Sequence, residues 1–166
     1  IFDVYSGYYG EAANTFNEAA AKGDTAEFAK AMNLFMKADE IGQYLSKNKW
    51  ATIGEVDTTL VLNIGKAALN AKKEGIARDY FKKLADAHIK GLKDSADASY
   101  ELPYQWLTLD YKEAGDSANM VKYGTIGKQL FPNDDYFDFV QMDYYREKGN
   151  HPALFKKYEE LTEKHP

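Results

Sequence analysis

"DYKEAGDS", residues 110–117, holds the punctuation that decides the fold. Tyr111, Gly115 and Asp116 are followed by Pro132, and each is answered at one fixed interval downstream, by Tyr145, Gly149, Asn150 and Pro166. Upstream of Gly115, Tyr104, Leu107 and Tyr111 fall at i, i+3 and i+7, one face of a helix. Pro103 suits the first turn, where its missing N–H goes unused. Gly115 can take the left-handed conformation that ends a helix. Asp116 can then cap a second helix, its carboxylate accepting free first-turn N–H groups. That helix carries Met120, Tyr123, Ile126, Gly127 and Leu130 and stops before Pro132. The spacing predicts an antiparallel helical hairpin that occupies one whole interval.

The plan recurs. In "DDYFDFVQMDYYREKGNHPALFKKYEELTEKHP" Gly149 stops the first helix and Asn150 caps the second, with Leu154, Tyr158 and Leu161 as its apolar face. A hairpin upstream stops near Gly75 and carries Ala77, Phe81 and Leu84. The first stops at Gly23, where Asp24-Thr25-Ala26-Glu27 has the form of a capping box. The expectation is an all-α chain of about four hairpins and about eight helices, over 2–47, 54–92, 99–132 and 134–166, within a single repeat domain, 1–166. No segment has the pattern of a strand.

These residues resemble the tetratricopeptide repeat (TPR) family, whose period of about 34 residues is the interval seen here. Ile64-Gly65 matches its Leu-Gly pair, and Ala77 with Phe81 its small and aromatic residues. Tyr111, Gly115-Asp116 and Pro132 match in the third copy, and Tyr145, Gly149-Asn150, Tyr158 and Pro166 in the fourth. Spacing is wider between the earlier copies. Met120, Gly124 and Gly127 replace the usual residues of the third copy, and Asp138 and Gln141 stand where the family has large apolar side chains. The resemblance implies a right-handed α-solenoid in which Phe81, Tyr111, Tyr145 and Tyr158 are core. The Lys-rich, Tyr-rich composition is similar to that of TPR proteins of Bacteroidetes type, which favours a bacterial, periplasmic or otherwise exported protein over a cytoplasmic one.

The bulk properties narrow the function. Hydrophobic residues make up 45% of the 166 and charged ones 28%, with four prolines, as in a folded chain able to bury a core. No apolar run reaches the ~20 residues of a membrane span, so no membrane insertion is expected. Net charge is −5, with twelve acids against eight bases over 101–166, and only Arg78 and Arg146 are arginine. A nucleic-acid partner calls for a basic face, and none is visible. Ile1 in place of methionine suggests a processed or excised chain, with further repeats upstream or self-association as ways to cover its first helix.

Catalytic chemistry finds little to work with. His88, His151 and His165 are far apart and near helix ends, where a capping or solvent-facing histidine is ordinary. No nucleophile, zinc or phosphate-cradling motif is present. Asp94, Asp97 and Glu101, and Asp134, Asp135 and Asp138, lack the alternate spacing and central glycine of a calcium loop; acids facing helix N-termini explain them. No cofactor or metal is expected, and no enzyme activity. The carboxylate clamp of some TPR domains fails here. Asn17 and Asn63 fit its asparagines, but Ala13, Leu102 and Trp106 stand at the cation positions.

The resemblance therefore implies a non-catalytic module binding a protein or peptide partner in a concave groove lined by first helices. Its groove positions fall on Leu62, Lys66 and Leu69, on Gln105, Leu109 and Lys112, and on Tyr136, Phe139, Asp143 and Arg146. The alternative is a helical protein binding a glycan or small ligand through exposed aromatics. Tyr5, Tyr8 and Tyr9 could serve such a site or pack against a preceding repeat.

Overall fold

The structure, a computed structural model, describes residues 2–50, 57–92 and 97–164. Pro166, His165 and Asp94 lie outside the described residues. Eight α-helices follow one another, with no strand among the described residues. They are α1 (Phe2–Lys22), α2 (Thr25–Lys47), α3 (Thr58–Asn70), α4 (Glu74–Asp86), α5 (Glu101–Glu113), α6 (Ser117–Leu130), α7 (Tyr136–Glu147) and α8 (His151–Lys164). A 3-10 turn at Ala98–Tyr100 leads into α5.

One hydrogen-bonded closure explains the repeated punctuation. At the end of α5 the Gly115 N–H donates to the Lys112 carbonyl at 3.0 Å and the Asp116 N–H to the Tyr111 carbonyl at 2.9 Å. The end of α7 repeats this at the matching positions, from Gly149 to Arg146 at 3.1 Å and from Asn150 to Tyr145 at 2.8 Å. These paired bonds are the Schellman closure, which needs a left-handed residue; Gly115 and Gly149 supply it at φ 74° and 65°. The next residue then caps the following helix. Asp116 accepts from the Asn119 N–H at 3.1 Å, and Asn150 from the Ala153 N–H at 3.3 Å.

Two local expectations change. The stop expected near Gly75 comes at Asn70. There the closure is made by Lys72, at φ 58°, and Lys73, whose N–H donates to the Ala68 carbonyl at 2.8 Å, so Gly75 lies inside α4. The capping box at α2 is only half formed. Asp24 accepts from the Ala26 and Glu27 N–H groups, but its own N–H donates to the Ala19 carbonyl and Glu27 turns to Lys30.

The chain folds as two compact units, Ile1–Ile89 and Lys90–Pro166. In the first, α1 packs on α2, α2 on α3 and α3 on α4, around Phe35, Leu60, Ile64, Phe81 and Leu84. In the second, α5 packs on α6, both pack on α7, and α7 packs on α8, around Tyr104, Leu107, Met120, Tyr123 and Phe137. Each unit contains a glycine notch filled by a phenyl ring. A Cβ on Gly65 would lie 2.2 Å from the Phe81 ring, and one on Gly127 would lie 2.3 Å from the Phe137 ring. Both rings are fully buried.

Gly65→Ala therefore drives a methyl group into a ring that has nowhere to move. Overpacking of this kind costs about 1–3 kcal/mol, and urea unfolding should show it. Adding Phe81→Leu, which vacates the ring edge, should recover part of the loss; a Gly65→Ala variant as stable as the parent would refute the notch.

Candidate functional site

The expected groove residues divide between the units. In the first, Leu62 is 3% exposed and packs inside the unit. Lys66 and Leu69 are half-buried on the same helix. α3 lies against both α2 and α4 and so has little free face.

In the second unit α5 and α7 bring most of the remaining set together. The Gln105 side-chain amide donates to Asp134 at 2.7 Å, while the other Asp134 oxygen accepts from the Tyr136 N–H at 2.9 Å. Burial, then the Asp134 and Glu113 carboxylates, pushes the Tyr136 phenol above its ordinary pKa. At the other end Lys112 reaches Glu147 at 3.1 Å and Asp143 at 3.9 Å, and Arg146 holds Asp143 at 2.7 Å. Gln105 and Lys112 thus tie α5 to α7 and its approach, and Leu109, 37% exposed, presents apolar surface from α5.

Phe139 belongs to a different surface. It is 58% exposed and lines a recess of about 300 Å³ with Asp135, Met142, Tyr158, Leu161 and Thr162, between α7 and α8. A second recess of about 340 Å³ runs along α8 past Phe155, Tyr158, Glu159, Thr162 and Glu163. The two share Tyr158 and Thr162 and form one apolar strip. Tyr158, expected in the core, is 44% exposed beside these recesses. A hydrogen bond with its hydroxyl, then the charge of Asp143, holds the Arg146 guanidinium above its ordinary pKa. Sequence reasoning missed Phe155, Glu159 and Glu163 as surface features. Their i, i+4, i+8 spacing was the available signal.

Beneath this surface lies Asp138, 3% exposed. It stands in the first turn of α7, as an acid facing the helix N-terminus was expected to, and it also holds two lysines, Lys128 of α6 at 2.5 Å and Lys157 of α8 at 2.9 Å. Burial alone would raise its pKa, but the hydrogen bonds from Lys128 and Lys157 outweigh it and hold the carboxyl below the usual range. Burial likewise opposes the Lys157 charge, and Asp138 and Glu160 overcome it. One carboxylate fastens three helices.

The first unit has its own polar links. Asp39, also buried, accepts from Gln43 at 2.9 Å and from the Tyr80 hydroxyl at 3.1 Å. A recess of about 380 Å³ is lined by Tyr5, Ser6, Tyr9, Gly10, Asp57 and Thr59. There the Tyr5 hydroxyl donates to Asp57 at 2.5 Å and Asn63 donates to the Tyr9 hydroxyl at 3.4 Å. Burial, then the bond to Asp57, raises the Tyr5 pKa. Tyr44 and Trp50, both exposed, meet edge to face at 5.7 Å.

Among the described residues no group of three His, Cys, Asp or Glu is placed to hold a metal ion, and no helix is long and apolar enough to cross a membrane. Compared with known proteins, the chain matches no family model, no curated protein and no solved structure.

The Asp138 cluster sets a pH dependence. A carboxyl with a lowered folded pKa contributes stability above its unfolded value, about 4, and that contribution is lost as pH falls through the folded pKa. Asp138→Asn should therefore cost about 2–4 kcal/mol at pH 7, short of a fully buried pair because both lysines reach solvent. Below pH about 4 the gap between parent and variant should narrow. An equal gap at pH 7 and pH 3 in urea unfolding would contradict the pairing.

Proposed function

We propose that the chain is a TPR-like right-handed solenoid of hairpins acting as a non-catalytic protein-interaction module, which holds a peptide or helical segment of a partner against its first helices. The observation that carries this reading is Phe139. It is a large aromatic left 58% exposed on a first helix, beside the Asp143–Arg146 pair. A soluble domain gains roughly 1.5–3 kcal/mol by burying such a side chain, and aromatic and arginine residues are enriched where partners bind most tightly. Leu109 on α5 offers a separate apolar position, and Lys112, Asp143 and Glu147 form a charged link between α5 and α7. The closure shared by α5 and α7 and the glycine notches support the resemblance to TPR hairpins.

The test is a double variant, Phe139→Ala with Arg146→Glu. Both side chains are exposed, so the variant should keep its helical circular dichroism and lose the partner that the parent captures from the native organism. A folded variant that retains the partner would place the binding surface elsewhere.

A second reading, a glycan- or small-ligand-binding helical protein, is favoured by one observation: the recess where Tyr5 and Tyr9 stand beside Asp57 and Thr59. Paired aromatic faces with hydroxyl and carboxylate neighbours suit a sugar ring. On this reading Tyr9→Ala should abolish saccharide-dependent changes in tyrosine fluorescence while leaving partner capture intact.

A further inference from the structure

Within the second unit, the α5–α6 hairpin carries a helix on its face. α7 packs on both α5 and α6, with the Phe137 ring in the Gly127 notch and Gln141 near Gly124 and Thr108. The same interval that carries Tyr111 to Tyr145 takes Gln105, Thr108, Gly124 and Gly127 to Phe139, Met142, Tyr158 and Leu161. These four line the recess between α7 and α8. The α7–α8 hairpin thus offers the counterpart of a face that already seats a helix, and among the described residues nothing is seated on it. Where α6 has glycines that admit a neighbouring helix closely, α8 has Tyr158 and Leu161, so the face is a shallow apolar trough.

The charged residues that line the trough are Asp135, Glu159 and Glu163, with Arg146 reaching its edge through the Tyr158 hydroxyl. Asp135 is offset by Lys128 at 3.6 Å. The nearby cations are engaged: Arg146 with Asp143, Lys156 with Glu160, and Lys157 with Asp138 and Glu160. Glu159 and Glu163 form no ion pair among the described residues and stand one turn apart along the strip. A second copy seated by two-fold symmetry would bring this acidic rim toward its own image, which like-charge repulsion opposes. A strand partner has no sheet edge to extend here.

We propose that the α7–α8 face docks an amphipathic helix of a partner protein, its apolar stripe in the Phe139–Tyr158–Leu161 trough and its flanking Lys or Arg side chains on Glu159 and Glu163. This rests on the protein-interaction reading and specifies the partner. Apolar residues at i, i+4 and i+7 of that helix meet a strip that runs two turns along α8, from Phe155 to Thr162.

The test uses two synthetic helical peptides, each about five turns long, with the same leucine stripe and either lysines or glutamates flanking it. Titrated calorimetrically into the 166-residue chain, the lysine peptide should bind about tenfold or more tightly than the glutamate peptide. Tyr158→Ala should weaken it by about tenfold, and Glu159→Lys with Glu163→Lys should invert the preference. All three side chains are exposed, so circular dichroism of each variant should match the parent. Equal binding of the two peptides, or a preference unmoved by the charge reversal, overturns the proposal and leaves the interaction reading standing. A chain that sediments as a dimer and becomes monomeric on Phe139→Glu makes a second copy the occupant, which also overturns it. If neither peptide binds and Phe139→Ala with Arg146→Glu does not alter partner capture, both readings fall.

Discussion

The packing rests on a phenyl ring seated in a glycine notch. Phe81 fills the notch at Gly65 between α3 and α4, and Phe137 fills the one at Gly127 between α6 and α7. A side chain at either glycine would overlap the ring, so backbone and ring approach as closely as atoms allow. Each ring is removed wholly from water, a gain of roughly 1.5–3 kcal/mol from burial alone. In the second unit this fixes where α7 lies on the α5–α6 hairpin. It therefore decides which α7 residues turn inward and which are left out: Phe137 goes in, and Phe139, two residues on, comes out at 58% exposure.

What was legible in the sequence was mostly backbone chemistry. The Gly-Asp and Gly-Asn turns after α5 and α7 announce a left-handed closure followed by an N-cap, and both occur as the residue types require. Gly75 misled because a lysine can take the left-handed conformation at a strain of about 1–2 kcal/mol. At Lys72 two closing hydrogen bonds accompany it, and the glycine three residues later is simply the second residue of α4. Leu62 was carried over as a groove position from the resemblance; it is buried on α3, which packs against both α2 and α4. Tyr158 failed in the opposite sense, since periodicity marks an apolar face without saying whether anything packs on it.

The polar links were the least legible part. Asp138 stands where an apolar residue was expected, and its partners come from positions ten residues before it and nineteen after it, on different helices. No spacing rule connects three such sites; only the packing of α6, α7 and α8 does. A buried carboxylate held by two lysines contributes less net stability than an apolar core of equal volume. Its geometry, however, is met in one arrangement of the three helices alone. Asp39, with Gln43, Tyr80 and Lys83, does comparable work between α2 and α4 in the first unit.

This division of labour bears on where a partner can bind. Gln105 and Lys112 were expected to face a ligand, yet each is engaged in holding α5 to α7 or to its approach. A partner competing for them would have to break links that support the unit. On the surface of α7 and α8 the link is the hydrogen bond between Arg146 and the Tyr158 hydroxyl. The aromatics of that surface are exposed, its two acids on α8 form no ion pair among the described residues, and the carboxylate that fixes the helices beneath is already satisfied by Lys128 and Lys157. Gln105 by a hydrogen bond and Lys112 by ion pairs are thus committed within the unit, whereas Phe139 and Phe155 on the hairpin of α7 and α8 stand exposed.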